Sequence, residues 1–282
     1  MRKKVRSWLF VPGHSEKMVG KAAGLAAEAL IFDLQDAVPP GEKEAARGLV
    51  GRWLAGADRD EVYVRINPLD SGLGEADLEA VVRSELTGVV LPLAARLDQV
   101  QALAETLARL ERVRGLATGA VAVVLQIESP AGVLNAPELA CSPRVSALAF
   151  GGEDYALELG VERTPEGKEL TFAQGMLANA AAAAGVAAVD TVYRDFRDDE
   201  GLARECAEVR SLGFTGKLAI HPAQIAVIHE AFRPAEAELS LARRVVEAFE
   251  EAGGGVVTVD GQMVDAPVVE RARRILAMGE ED

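Results

Sequence analysis

The feature that most constrains the fold is a repeat of eight short apolar segments, separated by stretches with helical periodicity. Most of the eight are hydrophobic throughout, which is typical of strands in a parallel sheet that is covered on both faces. Eight strand–helix units in about 220 residues favour an α/β fold of the (β/α)8 TIM barrel type. An open doubly wound sheet gives the same alternation, so the count of eight decides between them. The segments are Ser7–Val11, Ala29–Leu34, Val62–Ile66, Val89–Leu93, Val121–Ile127, Val145–Phe150, Ala187–Val192 and Lys217–Ile220.

The pattern changes after residue 222, where the barrel is predicted to end. The remaining segment, 223–282, is small for an independent domain. We therefore expect residues 1–222 to form the barrel, and 223–282 to form a C-terminal helical extension that packs on its own barrel or on a neighbouring subunit. Two helices, a short β-like stretch, a turn and a final helix are predicted around Pro222–Phe232, Ala235–Ala252, Val256–Val259, Asp260–Gly261 and from Pro267 onward.

Composition excludes several classes of function. The 282 residues carry a net charge of −14, which argues against nucleic acid or an anionic membrane as a general partner. The two cysteines, Cys141 and Cys206, fall in different repeats and suggest neither a disulfide framework nor a zinc site. The sequence shows neither a signal peptide nor an apolar stretch long enough to cross a bilayer. We expect a cytoplasmic protein.

Two carboxylates follow two consecutive predicted strands. Glu128 directly follows Val121–Ile127, and Asp154 follows Val145–Phe150 after two glycines and a glutamate. Functional groups of TIM barrels come from the C-terminal ends of the strands. Adjacent strands lie about 4.8 Å apart, so two such carboxylates can share one hard cation at about 2.0–2.6 Å. Helix caps or surface ion pairs are the alternative, and we predict a metal site.

Other charged residues fall on the same predicted rim. Arg65 at the end of the third strand provides a planar guanidinium for an acyl carbonyl or carboxylate, or else a counter-ion for acids such as Asp36. Asp36 is expected to support the site, by ligating metal through water, orienting Arg65 or capping a helix. Lys17 and Lys21 share one helix face and suit a phosphate-bearing ligand, although a solvated face is the alternative. For His221, a structural role and a ligand contact are equally compatible with the sequence.

Six motifs, in order along the chain, carry a family resemblance. They are RSWLFVPGHSEKM, IFDLQDAVPPGEKEAAR, VYVRINP, VVLQIESPAGV, LAFGGEDYALELG and GKLAIHPAQI. Together they resemble the HpcH/HpaI aldolase and citrate lyase β-subunit family, and most closely its CitE-like and malyl-CoA lyase branch. The resemblance implies a TIM barrel that binds Mg²⁺ or Mn²⁺ and cleaves or forms a C–C bond in a CoA thioester. It also implies a homo-oligomer, as a trimer or hexamer.

The resemblance assigns roles to individual residues. Glu128 and Asp154 match the metal ligands of the family, with Glu128 also beside the substrate, and Arg65 matches the substrate-binding arginine. The positions that match contacts to the CoA thioester are Phe10, Lys17, Lys21, Ile220 and His221.

The C-terminal segment GQMVDAP resembles the lid of the malyl-CoA and citramalyl-CoA lyases. An aspartate of that lid, often from the neighbouring subunit, does acid–base work, and it corresponds to Asp265. One departure concerns Gln35, which stands where many relatives have glutamate, so an acid role at that position cannot carry over. Asp36 is retained.

The implied reaction converts a 3-hydroxyacyl-CoA, such as citryl-, malyl- or citramalyl-CoA, into an acyl-CoA and an oxoacid. Arg65 would stabilise the thioester enolate, and Asp265 would protonate its carbon or remove that proton in the reverse direction. The sequence does not choose among oxaloacetate, glyoxylate and pyruvate. Two alternatives stay open. One is a citrate lyase β subunit that acts on an acyl-carrier-bound citryl thioester, and the other is a CoA-independent divalent-metal aldolase for hydroxy-oxoacids.

Overall fold

The predicted barrel is confirmed. A computed structural model describes residues 5–280, and within that range eight parallel strands form one closed barrel. Each strand pairs with its sequence neighbours, and the eighth pairs with the first to close the ring. All eight predicted apolar segments form strands, with ends shifted by two residues at most. The strands are β1 Ser7–Pro12, β2 Ala29–Asp33, β3 Val62–Arg65, β4 Gly88–Leu91, β5 Ala122–Ile127, β6 Val145–Phe150, β7 Ala187–Asp190 and β8 Gly216–Ala219.

Helices alternate with the strands and cover the outside of the barrel. Serines and glycines mark several of their ends: Ser129 Oγ accepts a hydrogen bond from the Gly132 amide at the start of one helix, and Gly213 ends another in the left-handed conformation. The helices up to residue 232 are α1 Glu16–Lys21, α2 Lys43–Leu54, α3 Gly74–Val81, α4 Leu97–Val113, α5 Pro130–Ala140, α6 Gly152–Leu159, α7 Thr171–Ala184, α8 Asp199–Leu212 and α9 Gln224–Phe232.

The strands are buried on both faces, which explains why they read as continuous apolar runs. Side chains that point into the barrel fill it, and the Trp8 and Tyr63 rings pack with their centroids 4.7 Å apart. The barrel is therefore a packed core, and its chemistry lies at the strand ends. The interior cluster consists of Trp8, Ala29, Ile31, Tyr63, Val90, Val124, Ala147, Ala149, Val189 and Leu218.

The described residues divide into two compact units, 5–228 and 229–280. The second has its own small core, made by Ala242, Val245, Val264, Val269 and Ala272. Its elements are α10 Glu236–Glu251, β9 Val257–Val259, β10 Gln262–Val264 and α11 Ala266–Glu280.

The predicted helices and β-like stretch of the C-terminal segment are present, but β10 was not predicted. This strand has three residues and pairs antiparallel with β9, so that Asp260 and Gly261 form the turn of a hairpin. A three-residue strand is too short to show a period of two in the sequence. No helix between residues 5 and 280 is long and apolar enough to cross a membrane.

Candidate active site

A cavity of about 430 Å³ lies at the C-terminal ends of the barrel strands. Its walls combine an apolar side with a set of carboxylates and one arginine. Strands β4 and β7 contribute no residue of their own to the lining, although Thr191 and Val192 directly follow β7. The lining residues are Phe10, Pro12, Asp33, Asp36, Ala37, Arg65, Gln126, Phe150, Gly151, Gly152, Glu153, Asp154, Thr191, Val192, Leu218 and Ile220.

Arg65 is held in this cavity by a carboxylate that the sequence reasoning did not identify as its partner. Its Nε and Nη2 donate to the two oxygens of Asp33 at 2.8 and 2.7 Å. The same oxygens accept the backbone amides of Gln35 and Ala37, both at 2.9 Å. Burial alone would raise the pKa of Asp33, but the hydrogen bonds and charge of Arg65 outweigh it and hold the pKa below its usual range. Both side chains are charged, and the guanidinium plane is fixed.

Asp33 carried a signal that could have identified this pair. Asp33 is the last residue of β2, Arg65 is the last residue of β3, and the two are directly paired in register. Opposite charges at matching ends of consecutive strands are candidates for contact. Asp36, the counter-ion considered from the sequence, also forms an ion pair with Arg65. Its side chain is exposed, and its Oδ2 lies 3.5 Å from Arg65 Nη1.

Phe10 lies on the other side of the guanidinium. The Arg65 carbon Cζ lies 4.7 Å from the centroid of the Phe10 ring, within the range of a cation–π contact. Asp33 thus fixes the edge of the guanidinium, and Phe10 covers its face. The Nη1 group remains as the donor that is not engaged with Asp33.

Glu128 is buried and follows β5 directly. Its Oε1 accepts the backbone amide of Leu93 at 2.6 Å, and its Oε2 accepts Nε2 of Gln126. Leu93 has a positive φ of 52°, which is strained for a residue with a branched side chain and aims its amide at this carboxylate. Burial raises the pKa of Glu128 to about 7, the negative charge of Asp154 adds to this, and the two hydrogen bonds and Arg65 oppose it.

Asp154 belongs to the first turn of α6, so the interpretation that it lies at a strand end is wrong in detail. Its side chain is exposed to the cavity. Gly151 allows the close approach of the α6 start to Glu128. A Cβ on Gly151 would lie only 2.5 Å from Glu128 Oε2. A larger residue at position 151 would therefore displace the Glu128 side chain or the start of α6.

These two carboxylates fit a hard dication. Mg²⁺ commonly binds one or two protein carboxylates and completes its shell with water and substrate oxygens. Within residues 5–280, no three carboxylate, histidine or cysteine side chains come together as a complete cage. Glu128 is a buried carboxylate with a raised pKa near a second negative charge, and a cation placed between the two would stabilise its ionised form. Gln126 Oε1, also buried on this wall, has no hydrogen-bond partner among the described residues and can accept from a ligand.

The remaining predicted residues are distributed more widely. Ile220 lines the cavity, whereas Lys17 and Lys21 lie exposed on α1 outside its lining. His221 follows β8, is exposed, and stacks on Phe196 with centroids 4.5 Å apart. Its Nδ1 accepts the backbone amide of Ala223 at 3.2 Å. The structure therefore brings Ile220 into the cavity and leaves the other three on the surrounding surface.

Asp265 belongs to the C-terminal unit. It precedes α11, and its Oδ1 accepts the amide of Val268 at 3.4 Å, so it occupies the N-cap position. The helix begins one residue later, at Ala266. A cap leaves the second carboxylate oxygen available.

Comparisons with known proteins agree with this geometry. A family model described as HpcH/HpaI aldolase/citrate lyase matches residues 6–222. Citrate lyase subunit beta of Escherichia coli strain K12 is 43% identical over 98% of this chain and 93% of that protein. The (3S)-malyl-CoA thioesterase of Cereibacter sphaeroides strain KD131 is 39% identical over 98% of this chain and 94% of that protein. A crystal structure of CitE from Mycobacterium tuberculosis with magnesium, acetoacetate and coenzyme A has a TM-score of 0.84 at 32% identity, and covers 99% of this chain and 100% of that one.

Proposed function

Because this chain belongs to the HpcH/HpaI aldolase/citrate lyase family, we propose that it is a Mg²⁺-dependent carbon–carbon lyase of 3-hydroxyacyl-CoA thioesters. The observation that carries the proposal is the fixed Arg65 guanidinium, which lines one cavity with Asp154, while the charges of both residues act on the buried Glu128. This arrangement combines a donor for a developing oxyanion with two ligands for a hard cation.

The residues divide the reaction between them. Cleavage passes the proton of the 3-hydroxyl group to solvent, converts that carbon into the carbonyl group of the oxoacid, and leaves the electron pair of the broken C–C bond in a thioester enolate. Arg65 donates from Nη1 to the enolate oxygen, while Asp33 fixes the orientation of the planar guanidinium and compensates its charge. Protonation of the enolate carbon then gives the acyl thioester, so atoms and charge balance.

Glu128 and Asp154 are the residues that would hold Mg²⁺ or Mn²⁺. Bound there, the ion supplies Lewis-acid chemistry, lowering the pKa of the substrate hydroxyl. Glu128 contributes as a ligand only when it is ionised, and burial has already raised its pKa to about 7. Asp36 lies beside Arg65 and helps to set the charge of the rim.

The thioester end of the substrate is assigned to the apolar side of the rim. We place the acyl thioester against Phe10 and Ile220, and the phosphate-bearing part along Lys17, Lys21 and His221. Support comes from the exposure of the three polar side chains around the cavity and from the coenzyme A in the structure of the M. tuberculosis relative.

The proton for the enolate carbon is assigned to Asp265. We place it in the site of a neighbouring subunit, which makes the active form a homo-oligomer, as a trimer or hexamer. The support is the lid-like sequence around it and the free carboxylate oxygen that its cap geometry leaves. Residues 223–282 would then act as the C-terminal extension that carries the lid.

The test is a panel of citryl-, malyl-, citramalyl- and methylmalyl-CoA with Mg²⁺, in which oxoacid and free thiol are measured in parallel. Carbon–carbon cleavage releases oxoacid without free thiol, whereas thioester hydrolysis, the activity named for the C. sphaeroides relative, releases thiol without oxoacid. Arg65→Ala should abolish oxoacid release. Arg109→Ala, which removes an exposed arginine paired with Glu75, is the control that should leave it unchanged.

Two further substrates, a citryl thioester on an acyl-carrier protein and free hydroxy-oxoacids, separate the two other candidates. A β subunit of the kind found in E. coli citrate lyase would turn over a citryl thioester on an acyl-carrier protein in preference to the free CoA ester. A CoA-independent aldolase would release oxoacid from free hydroxy-oxoacids. Failure of all four CoA esters, with turnover of either of these substrates, would contradict the proposal.

A further inference from the structure

The start of α6, which carries Asp154, is tied to the barrel by a group of buried charges that the proposed reaction does not use. Within residues 5–280, no hydrogen bond or ion pair holds the Asp154 side chain itself. Its position therefore depends on the backbone of the first turn of α6. That helix has eight residues, and a helix this short does not fix its own first turn.

Two hydrogen bonds fix this turn from outside, and Arg194 Nη1 adds a longer ion pair to Glu153 Oε2 at 3.5 Å. The Gly152 amide donates to Thr191 Oγ1 at 2.9 Å, and Arg163 Nη1 donates to Glu153 at 2.9 Å. Both contacts are tight. A Cβ on Gly152 would lie 3.0 Å from Thr191 Oγ1 and 3.1 Å from Arg163 Nη1. The first turn of α6 is thus enclosed between one hydroxyl group and one guanidinium.

Both contacts lead back to one fully buried lysine. Lys217 Nζ donates to the Thr191 carbonyl at 2.8 Å and to Glu205 at 2.6 Å. Glu205 also lies 3.8 Å from Arg163. A third bond, of 2.6 Å, joins Lys217 to Asp190 at the end of β7. Lys217 therefore holds the backbone of Thr191 and the acidic partner of Arg163 together.

Arg163 and Lys217 are buried cations, and burial requires that each has a charged partner. The side chain of Arg163 is 7% exposed and that of Lys217 is 0% exposed. Buried charges at such positions must be paired, so each cation holds its carboxylates in one arrangement. Rigid partners behind a metal ligand commonly determine its affinity for the ion.

We propose that Arg163, Thr191, Glu205 and Lys217, the α6 clamp, position Asp154 for divalent-cation binding. The inference rests on the proposed function, because it concerns the metal ligand of that site. The four are positioning residues, since they act through the backbone of α6 and are not assigned any contact with substrate.

The test measures Mn²⁺ binding by isothermal titration in the full-length protein, without substrate. Thr191→Val removes the Oγ1 acceptor at constant shape and charge and should weaken Mn²⁺ binding about 10–100-fold, as expected for a lost supporting contact. Thr191→Ser retains the acceptor and should restore the affinity. Arg163→Gln should also weaken binding. Removing a positive charge near a dication would by itself strengthen binding, so a loss identifies a positional effect.

A matched control separates positioning from general stability. Arg144 forms a comparably buried pair with Glu111 at the N-terminal end of β6, and Arg144→Gln should lower the melting temperature without changing Mn²⁺ affinity. An equal loss of affinity in Arg144→Gln would overturn the clamp. So would unchanged affinity in Thr191→Val, and either result would leave the proposed function in place. A wild-type protein that binds no Mn²⁺ would overturn the metal site and the clamp with it.

Discussion

The replacement Asp33→Asn tests the residue that the structure adds to the site. Asp33 accepts four hydrogen bonds, two from Arg65 and two from the amides of Gln35 and Ala37. Asparagine keeps the shape but turns one oxygen into a donor. That donor then faces two N–H groups, and Arg65 loses its buried counter-ion.

The magnitude follows from the burial of the pair. The side chains of Arg65 and Asp33 are 10% and 2% exposed, so solvent screening is weak. Breaking a buried ion pair by removing one partner costs about 3–5 kcal/mol of unfolding free energy. In addition, a guanidinium whose N–H group no longer points at the oxyanion should stabilise the transition state by about 2.7–4 kcal/mol less, a factor of about 10²–10³ in kcat.

The pH dependence provides a second readout. The pKa of Asp33 is lower in the folded protein than its ordinary value. Its contribution to stability is therefore present above the unfolded pKa of about 3.9, and is lost as the pH falls through the folded pKa. The stability difference between wild type and Asp33→Asn should be full at neutral pH and should shrink below about pH 4.

Urea unfolding at several pH values and oxoacid release at saturating thioester measure the two effects. Glu75→Gln, which breaks the exposed pair with Arg109, is the control and should change neither. The reasoning is refuted if Asp33→Asn unfolds within about 1 kcal/mol of wild type, the size of an ordinary hydrogen bond, and retains its kcat. Retained kcat with lost stability would show that Asp36 suffices to orient Arg65.

Three further predictions concern the residues named from sequence. Glu128→Gln and Asp154→Asn should each abolish oxoacid release while the fold is kept, because an amide is a poorer ligand for a hard dication; titration with Mn²⁺ checks this, and unchanged affinity in both would place the ion elsewhere. Arg65→Lys should fail nearly as badly as Arg65→Ala, since a point charge cannot replace a planar fork; a Lys variant with wild-type kcat would reduce Arg65 to a general electrostatic partner. Asp265→Ala should be inactive, yet it should lose only about 0.5–2 kcal/mol of unfolding free energy through the lost helix cap. Mixing it with Arg65→Ala under conditions of subunit exchange should restore part of the activity. Full activity of Asp265→Ala alone would contradict the lid role, and inactivity without complementation would place Asp265 in the site of its own chain.

The barrel could be predicted from the sequence because its signals are local. Each strand is a short apolar run, each run is followed by a helical period, and eight such units leave little choice of fold. The ends of the strands then identify Arg65 and Glu128 as rim residues without any coordinates, because parallel strands present their C-terminal ends on one side. Chain order and strand direction were sufficient for both.

Local patterns were insufficient where the outcome depends on a few residues. The strand Gln262–Val264 is too short to show a period, and its hairpin depends on pairing with Val257–Val259. Whether Asp265 is the N-cap depends on the residue at which the helix begins. Sequence patterns locate a helix start only to within a few residues.

The tertiary structure alone decided the partners of the buried charges. Asp33 and Arg65 are 32 residues apart, and only the register between β2 and β3 places them side by side. In the sequence, Lys217 resembles an ordinary lysine at a strand end, but the end of β7 and the middle of α8 surround it with Asp190 and Glu205. The physical reason is that burial and hydrophobic periodicity are properties of neighbouring residues in the sequence. An ion pair of this kind joins residues that are distant in the sequence and come together only when the barrel closes.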